Sequence, residues 1–280
     1  MAHWPASPLL DATGKIMELR IGWLYHTLMS TYGDRGNVIC LQQRCQWRNI
    51  AVEIVRLDQA APASLLATVD IIVGGGAQDR QQEIVMRDLQ GEKAAQLRAK
   101  LDGGTPGVFT CGSPQLLGNY YEPGVGQRID GLGVLDLVTK HPGLDTPRCI
   151  GNMVFELQPP ELVAALKPLW PEAPVIIGFE NHGGRTYLGN VAPLGKVIKG
   201  YGNNGEDGWE GAFHRHAIAT YSHGPLLPKN PFLADWLIQT ALQEKYQTAI
   251  ELPKLDDRVA LQARAAMFAR LELSSLAKTA

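Results

Sequence analysis

No stretch of this 280-residue chain is apolar for the about 18 residues that a membrane-spanning helix needs, so no transmembrane segment is expected. Charge of one sign is also scarce. The net charge is −2 and the isoelectric point is near 6.4, which gives no electrostatic reason to expect nucleic acid as a partner. Cysteine is sparse: Cys40, Cys45, Cys111 and Cys149 show no paired framework of a secreted domain. Cys40 and Cys45 fit neither a CxxC motif nor a helix-face metal pair, and read as small buried hydrophobes. The chain lacks a G-x-x-x-x-G-K-[ST] phosphate loop, and Gly131-Leu132-Gly133 lacks the third glycine of a dinucleotide fingerprint. Residues 1–16 have neither a basic start nor a continuous apolar core, so they do not read as a secretory signal. Residues 1–17 are expected to be a flexible extension, and the expected setting is cytoplasmic.

The full sequence is 45% hydrophobic, ample for a substantial core. No internal repeat or low-complexity tract interrupts it. Strands are expected over Leu19–Tyr25, Ala51–Arg56, Val69–Val73 and up to Cys111, with helices over Val38–Arg48 and Arg80–Lys100. Strands alternating with helices imply an α/β fold with a doubly wound, mostly parallel sheet, whose ligands sit at the carboxyl ends of strands. After Gly118 the pattern changes to short strand candidates at Gly131–Val138, Ile150–Phe155, Val175–Phe179, Leu194–Gly200 and Ala212–Tyr221, separated by Gly, Pro and Asn clusters. These suggest antiparallel additions. Helices over Leu233–Lys245 and Asp256–Leu276 close the chain. The expected organisation is an extension over 1–17, a main domain over 18–250 and a C-terminal helix within 251–280.

Cys111 ends the apolar run Gly107, Val108, Phe109, Thr110 and opens Cys-Gly-Ser-Pro-Gln-Leu-Leu-Gly. A buried strand that stops at a cysteine and turns at once into a helix forms a nucleophile elbow. Helix-end N–H groups favour a thiolate there, against a free cysteine pKa of about 8.5. Far downstream, Ala219-Thr220-Tyr221-Ser222-His223 is a second strand-like run, ending in a histidine. Two strands delivering Cys111 and His223 to one sheet edge would make an activated thiol, with His223 as base and acid. The backbone N–H of Gly112 is half of a candidate oxyanion hole. Gly75 or Gly76, in the Gly74–Gly76 run that stops the third strand, is the other half, because glycine allows close backbone approach.

These residues resemble a known family. Thr-Cys-Gly-Ser-Pro-Gln at 110–115 is similar to the G-x-C-x-G-x-Q elbow of class I glutamine amidotransferases, in particular the cobyric acid synthase-like branch, whose elbow reads C-G-G-x-Q-x-L-G. Tyr-Gly-Asp-Arg-Gly-Asn at 32–37, Val-Gly-Gly-Gly-Ala-Gln-Asp at 73–79 and Gly-Phe-Glu-Asn-His-Gly-Gly-Arg-Thr-Tyr at 178–187 extend the match. So do Gly-Tyr-Gly-Asn-Asn at 200–204 and Thr-Tyr-Ser-His-Gly-Pro-Leu-Leu-Pro-Lys-Asn-Pro at 220–231. Together, over Leu19 to Gln243, they resemble the glutaminase subunits of lipid II isoglutaminyl synthase.

The resemblance implies that Cys111 attacks the γ-carboxamide of L-glutamine, releases ammonia and forms a glutamyl thioester that water hydrolyses. It implies a heterodimer with a Mur ligase-like subunit, MurT. That subunit would use ATP and Mg to activate the α-carboxyl of D-glutamate in lipid II, giving D-isoglutamine in peptidoglycan synthesis. No cofactor is expected in this chain. By the same resemblance Gln115 contacts bound glutamine and Arg148 holds it, a guanidinium being suited to a bidentate grip on an α-carboxylate. His182 is read as structural support for the site.

The chain departs from the broad class at two positions. Where class I enzymes commonly place a Glu two residues after the histidine, it has Pro225, so a dyad would suffice or a carboxylate would arrive from elsewhere, including the partner. Ser113 stands where the elbow usually has glycine, which puts the turn geometry in question. His214 and His216, at i and i+2 on one expected strand, would face the same side, but no third ligand is near and no metal site is expected. Trp209 and Trp236 read as core or interface. Asp256, Asp257, Arg258, Arg264 and Arg270 read as a solvated helix face. The alternatives are a glutaminase of another cobyric acid synthase-like amidating system, a catalytically idle ligase-binding subunit, or a cysteine hydrolase acting on another amide.

Overall fold

The computed structural model describes residues 8–170 and 175–277. In chain order its strands are β1 (Glu18–Leu24), β2 (Ala51–Leu57), β3 (Ile71–Gly74), β4 (Gly107–Thr110), β5 (Tyr120–Glu122), β6 (Ile129–Asp130) and β7 (Leu137–Lys140). There follow β8 (Cys149–Leu157), β9 (Val175–His182), β10 (Arg185–Leu188), β11 (Gly195–Lys199), β12 (Trp209–Glu210), β13 (Ala212–His214) and β14 (Ala217–Thr220). The helices are α1 (Arg35–Gln46), α2 (Ser64–Ala67), α3 (Asp79–Asp88), α4 (Gly91–Asp102), α5 (Gly112–Leu117), α6 (Pro160–Leu166), α7 (Leu226–Lys229), α8 (Pro231–Tyr246) and α9 (Arg258–Arg270).

The central sheet has the order β13-β14-β4-β3-β1-β2, with every pairing parallel except the β13–β14 hairpin at the edge. Every residue of β3, β4 and β14 is buried. Strands covered on both faces read as unbroken apolar runs, which is why they were visible in the sequence. On one face α1 and α8 pack Leu41, Leu233 and Leu237 against Leu19, Ile21, Ile71 and Val108. On the other, Val85 of α3 and Leu97 and Leu101 of α4 pack against Ile72 and Phe109. Two four-stranded sheets, β10-β7-β5-β6 and β12-β11-β8-β9, stand beside this layered core. The antiparallel β8–β9 ladder, from Cys149↔His182 to Glu156↔Val175, carries Arg148 and the 181–184 turn to the carboxyl edge of the central sheet.

The structure corrects several expected elements. The helix over 80–100 is two helices, α3 and α4, broken where Gly91 takes φ +55°. Gly131–Val138 is mostly loop, held by Gly131 N–H to Asn119 and Leu132 N–H to Leu116, and only Leu137 onward is strand. Ala212–Tyr221 is a hairpin rather than one strand, turning at Arg215 with φ +56°. His214 and His216 therefore do not share a strand face. His214 bonds Asp102 (3.1 Å) and His216 Nδ1 bonds the Gly104 carbonyl (2.7 Å). Among the described residues no cluster of three His, Cys, Asp or Glu could hold a metal ion.

The C-terminal helix is shorter than expected, α9 spanning Arg258–Arg270 before a 3-10 turn at Ser274–Ala277. Its surroundings are not all solvated. Arg264 is buried against Asn230 and the Val175 carbonyl, and Asp257 pairs with Arg44, which also pairs with the buried Asp235 of α8 at 2.6 Å. Cys40 and Cys45 sit on α1 with thiols pushed up by burial to about 12, as suits packed hydrophobes. Trp236 is core and Trp209 is half-buried. The expected N-terminal extension lies outside the described residues over 1–7. Beyond it Leu10 and Ile16 form an antiparallel bridge. No described helix is long and apolar enough to cross a membrane.

Candidate active site

Cys111 follows the last residue of β4 and precedes α5 at φ +56°, ψ −101°. A non-glycine residue in that region is strained, and the strain is held by packing on every side. Its N–H donates to the Thr220 carbonyl of β14 at 2.8 Å. The parallel register Thr110↔Thr220 then places His223, three residues past the end of β14, beside the elbow. A hypothetical Cβ on Gly76 would lie 2.9 Å from His223 Cε1 and 3.2 Å from Cys111 Cβ, so the glycine loop closes directly over both.

His223 is fully buried, and its Nδ1 donates to Asp34 Oδ1 at 2.9 Å. The carboxylate can only accept, so the remaining ring nitrogen, Nε2, is left for the thiol. That nitrogen has no other partner. Burial pulls the imidazole pKa down, but the bond to Asp34 and the nearby Cys111 outweigh it and push it up to about 10. Asp34 is itself buried at the head of α1, and its Oδ2 accepts the Gly76 N–H at 2.7 Å. The carboxylate missing after His223 thus comes from this chain, from the Tyr-Gly-Asp-Arg-Gly-Asn block near the first strand. Nothing in that block by itself gives Asp34 a role. Its only signal was a carboxylate just past a strand of the same sheet.

The expected oxyanion glycines divide. Gly112 heads α5, so its N–H is among those without an acceptor in the helix. The Gly76 N–H is committed to Asp34. Gly75 is wedged against the Met29 carbonyl, and its own carbonyl accepts from Ser113 Oγ at 2.7 Å. Ala77 N, 3.0 Å from where a Cβ on Gly112 would sit, is a loop N–H next to the elbow that sequence reading missed. Ser113 does not disturb the turn. The positive φ falls on Cys111, and the serine hydroxyl ties α5 to the glycine loop.

A cavity of about 440 Å³ opens onto Cys111. Its walls include Gln115, Arg148 and His182, three residues singled out in the sequence, together with Tyr32, Asp79, Gln82, Tyr121 and His141. Arg148 is braced by Asn181, Nε to Oδ1 and Nη2 to the carbonyl, both at 3.0 Å. Gln115 is buried in a chain of bonds: Gln82 Nε2 donates to its Oε1 (2.8 Å) and its Nε2 donates to Tyr221 Oη (3.0 Å). His182 bonds Glu180 and the Gly184 carbonyl and stacks on Tyr221 at 3.7 Å, a supporting position. Tyr32, half exposed and at φ +52°, meets the His223 ring edge-on at 5.0 Å.

A family model described as the CobB/CobQ-like glutamine amidotransferase domain matches residues 20–231. The chain is 35% identical over 250 residues, 88% of its length and 95% of the relative's, to the lipid II isoglutaminyl synthase (glutamine-hydrolyzing) subunit GatD of Staphylococcus aureus (strain N315). It is 36% identical over 243 residues, 86% of each chain, to the subunit of the same name from Streptococcus pneumoniae (strain ATCC BAA-255 / R6). Two solved structures share the fold at low identity. A chain of PurLQS from Thermotoga maritima has TM-score 0.56 at 12% identity, covering 82% of this chain and 100% of that one. The acivicin-bound glutaminase domain of Trypanosoma brucei CTPS has TM-score 0.52 at 11% identity, covering 86% and 98%. With the family model spanning most of the chain, and the elbow, the buried histidine and the doubly wound sheet in place, this protein belongs to the CobB/CobQ-like glutamine amidotransferase family.

Proposed function

We propose that this chain hydrolyses L-glutamine and passes the ammonia to a Mur ligase-like partner, MurT, which amidates the D-glutamate α-carboxyl of lipid II to D-isoglutamine. The observation that carries the hydrolysis is the buried Cys111–His223–Asp34 arrangement at the floor of a cavity that also holds Arg148. The ligase step rests on the names of the two bacterial relatives. This chain needs no cofactor of its own in this scheme; ATP and Mg belong to the partner, and the complex works in the cytoplasm.

In the first half-reaction the Cys111 thiolate, whose proton already rests on His223 Nε2, attacks the γ-carboxamide carbon. Asp34 accepts from Nδ1, which orients the ring with Nε2 toward the sulfur and stabilises the imidazolium. The oxygen that gains negative charge sits within reach of the Gly112 N–H and the Ala77 N–H. His223 returns its proton to the departing nitrogen, ammonia leaves, and the acyl group stays on sulfur as a thioester. In the second half-reaction His223 deprotonates a water, which attacks the thioester. Glutamate departs and the thiol is restored. Arg148 grips the α-carboxylate throughout.

The test is ammonia release from L-glutamine by the purified chain, alone and co-expressed with a Mur ligase-like subunit, with Cys111→Ala as control. Release that requires Cys111 and rises with the partner supports the reading. Absence of release in both settings would favour an idle ligase-binding subunit.

A further inference from the structure

The cavity wall formed by the first turn of α3 carries an unexplained pair of acceptors. Asp79 is the first residue of α3 and Gln82 lies three residues on, so both occupy one face of its first turn. Among the described residues lining the cavity, Asp79 is the only carboxylate and Arg148 the only guanidinium. Tyr121 Oη donates to Asp79 Oδ1 at 2.9 Å, which leaves Oδ2 available. Gln82 is 2% exposed, and its orientation is fixed because Nε2 donates to two acceptors, Gln115 Oε1 at 2.8 Å and the Ala77 carbonyl at 3.3 Å. Its Oε1 is buried with no partner. A buried acceptor without a donor is costly, so a ligand that supplies one is favoured there.

From this we infer that the first turn of α3 is the subsite for the substrate's α-ammonium group, with Asp79 Oδ2 and Gln82 Oε1 as its acceptors. The inference rests on the glutaminase reading above. Glutamine carries its γ-carboxamide to Cys111 and presents a carboxylate and an ammonium at the other end. Arg148 can bind only the former. The α3 wall can bind only the latter, because an anion there would face Asp79 and leave Gln82 Oε1 unpaired. The 183–184 turn packs near both. A Cβ on Gly183 would come 3.2 Å from Arg148 Nη1, and one on Gly184 would come 3.0 Å from Gln115 Nε2 and 3.6 Å from Tyr121 Cε2, the ring that holds Asp79. The site thus selects a free α-amino acid amide and rejects amides whose α-nitrogen is absent or acylated.

The experiment compares L-glutamine with glutaramate, the same molecule without its α-ammonium group, on the wild type, Asp79→Asn, Asp79→Glu and Gln82→Leu. The wild type should prefer L-glutamine by about 10²-fold or more in kcat/KM, as expected when a buried polar site is left unpaired. Asp79→Asn should reduce that preference to under about 10-fold, mainly by raising KM for L-glutamine, with glutaramate hydrolysis unchanged and Asp79→Glu restoring part of it. An undiminished preference in both Asp79→Asn and Gln82→Leu, or an equal loss on both substrates, overturns the subsite. Binding of the two compounds to Cys111→Ala by calorimetry separates this from the chemistry. If wild type releases no ammonia but Cys111→Ala binds L-glutamine selectively through Asp79, the subsite stands and the glutaminase reading fails. If Cys111→Ala binds the two compounds equally, the subsite is wrong.

Discussion

Asp34 and His223, 189 residues apart in sequence, are joined by a 2.9 Å hydrogen bond in the buried floor of the site. The same carboxylate fixes the glycine loop through Gly76 N–H, so one side chain sets both the base and the wall above it. This relationship places a buried carboxylate of this chain behind the histidine.

Asp34→Asn is expected to lower kcat by about 10²–10⁴ with a smaller change in KM, by analogy with the loss of about 10⁴ when a serine-protease triad Asp becomes Asn. The amide can still meet Gly76 N–H, so the fold should persist. Steady-state kinetics with circular dichroism checks this. A kcat within threefold of wild type would remove Asp34 from the machinery.

Cys111 stores strain at φ +56°, a conformation that costs on the order of 1–3 kcal/mol for a non-glycine residue. Cys111→Gly should therefore be inactive yet at least as stable as Cys111→Ala, by about 1 kcal/mol in urea unfolding. Greater stability in the alanine variant would show that the elbow is not strained.

Arg148 is exposed and braced only through Asn181, so Arg148→Ala should leave the melting temperature within a degree or two. It should raise KM for L-glutamine about 10- to 100-fold, the worth of a charged hydrogen bond of about 1.5–3 kcal/mol. An unchanged KM would place the α-carboxylate elsewhere.

Glu210 is fully buried. Burial pushes its pKa up to about 8 even though Thr220 Oγ1 and the Tyr221 N–H bond its Oε1. The unfolded chain loses this proton near its ordinary value of about 4.3 and the folded chain keeps it to about 8, so stability falls as pH rises through that window. His223 acts in the same direction at higher pH: its contribution is full below about 6.5 and is lost as pH rises through about 10. Between pH 5 and 6.5 the Glu210 effect therefore stands largely alone. Glu210→Gln should flatten the urea midpoint over that range; an equal slope in both proteins would contradict a protonated Glu210.

The local features were legible because they are written in contiguous residues. An unbroken apolar strand into Cys-Gly-Ser-Pro-Gln signals an elbow, and the parallel core follows from alternation of short apolar runs with helices. Expected boundaries failed where backbone conformation overrode composition: Gly91 split one helix, and Arg215 turned one expected strand into a hairpin. The His214–His216 pair lost its common face for the same reason.

The sequence by itself determined the nucleophile's setting, the strand that brings a histidine, and the family to which the chain belongs. It could not assign Asp34, Asp79 or Gln82, because nothing local marks a carboxylate or an amide as catalytic. Those roles arise only when β4 and β14 pair in parallel, the loop before α1 folds under His223, and α3 lays its first turn along the cavity. Hydrogen bonding acts over about 3 Å in space and is blind to separation along the chain, so Asp34, Asp79 and Gln82 were placed by the tertiary structure alone.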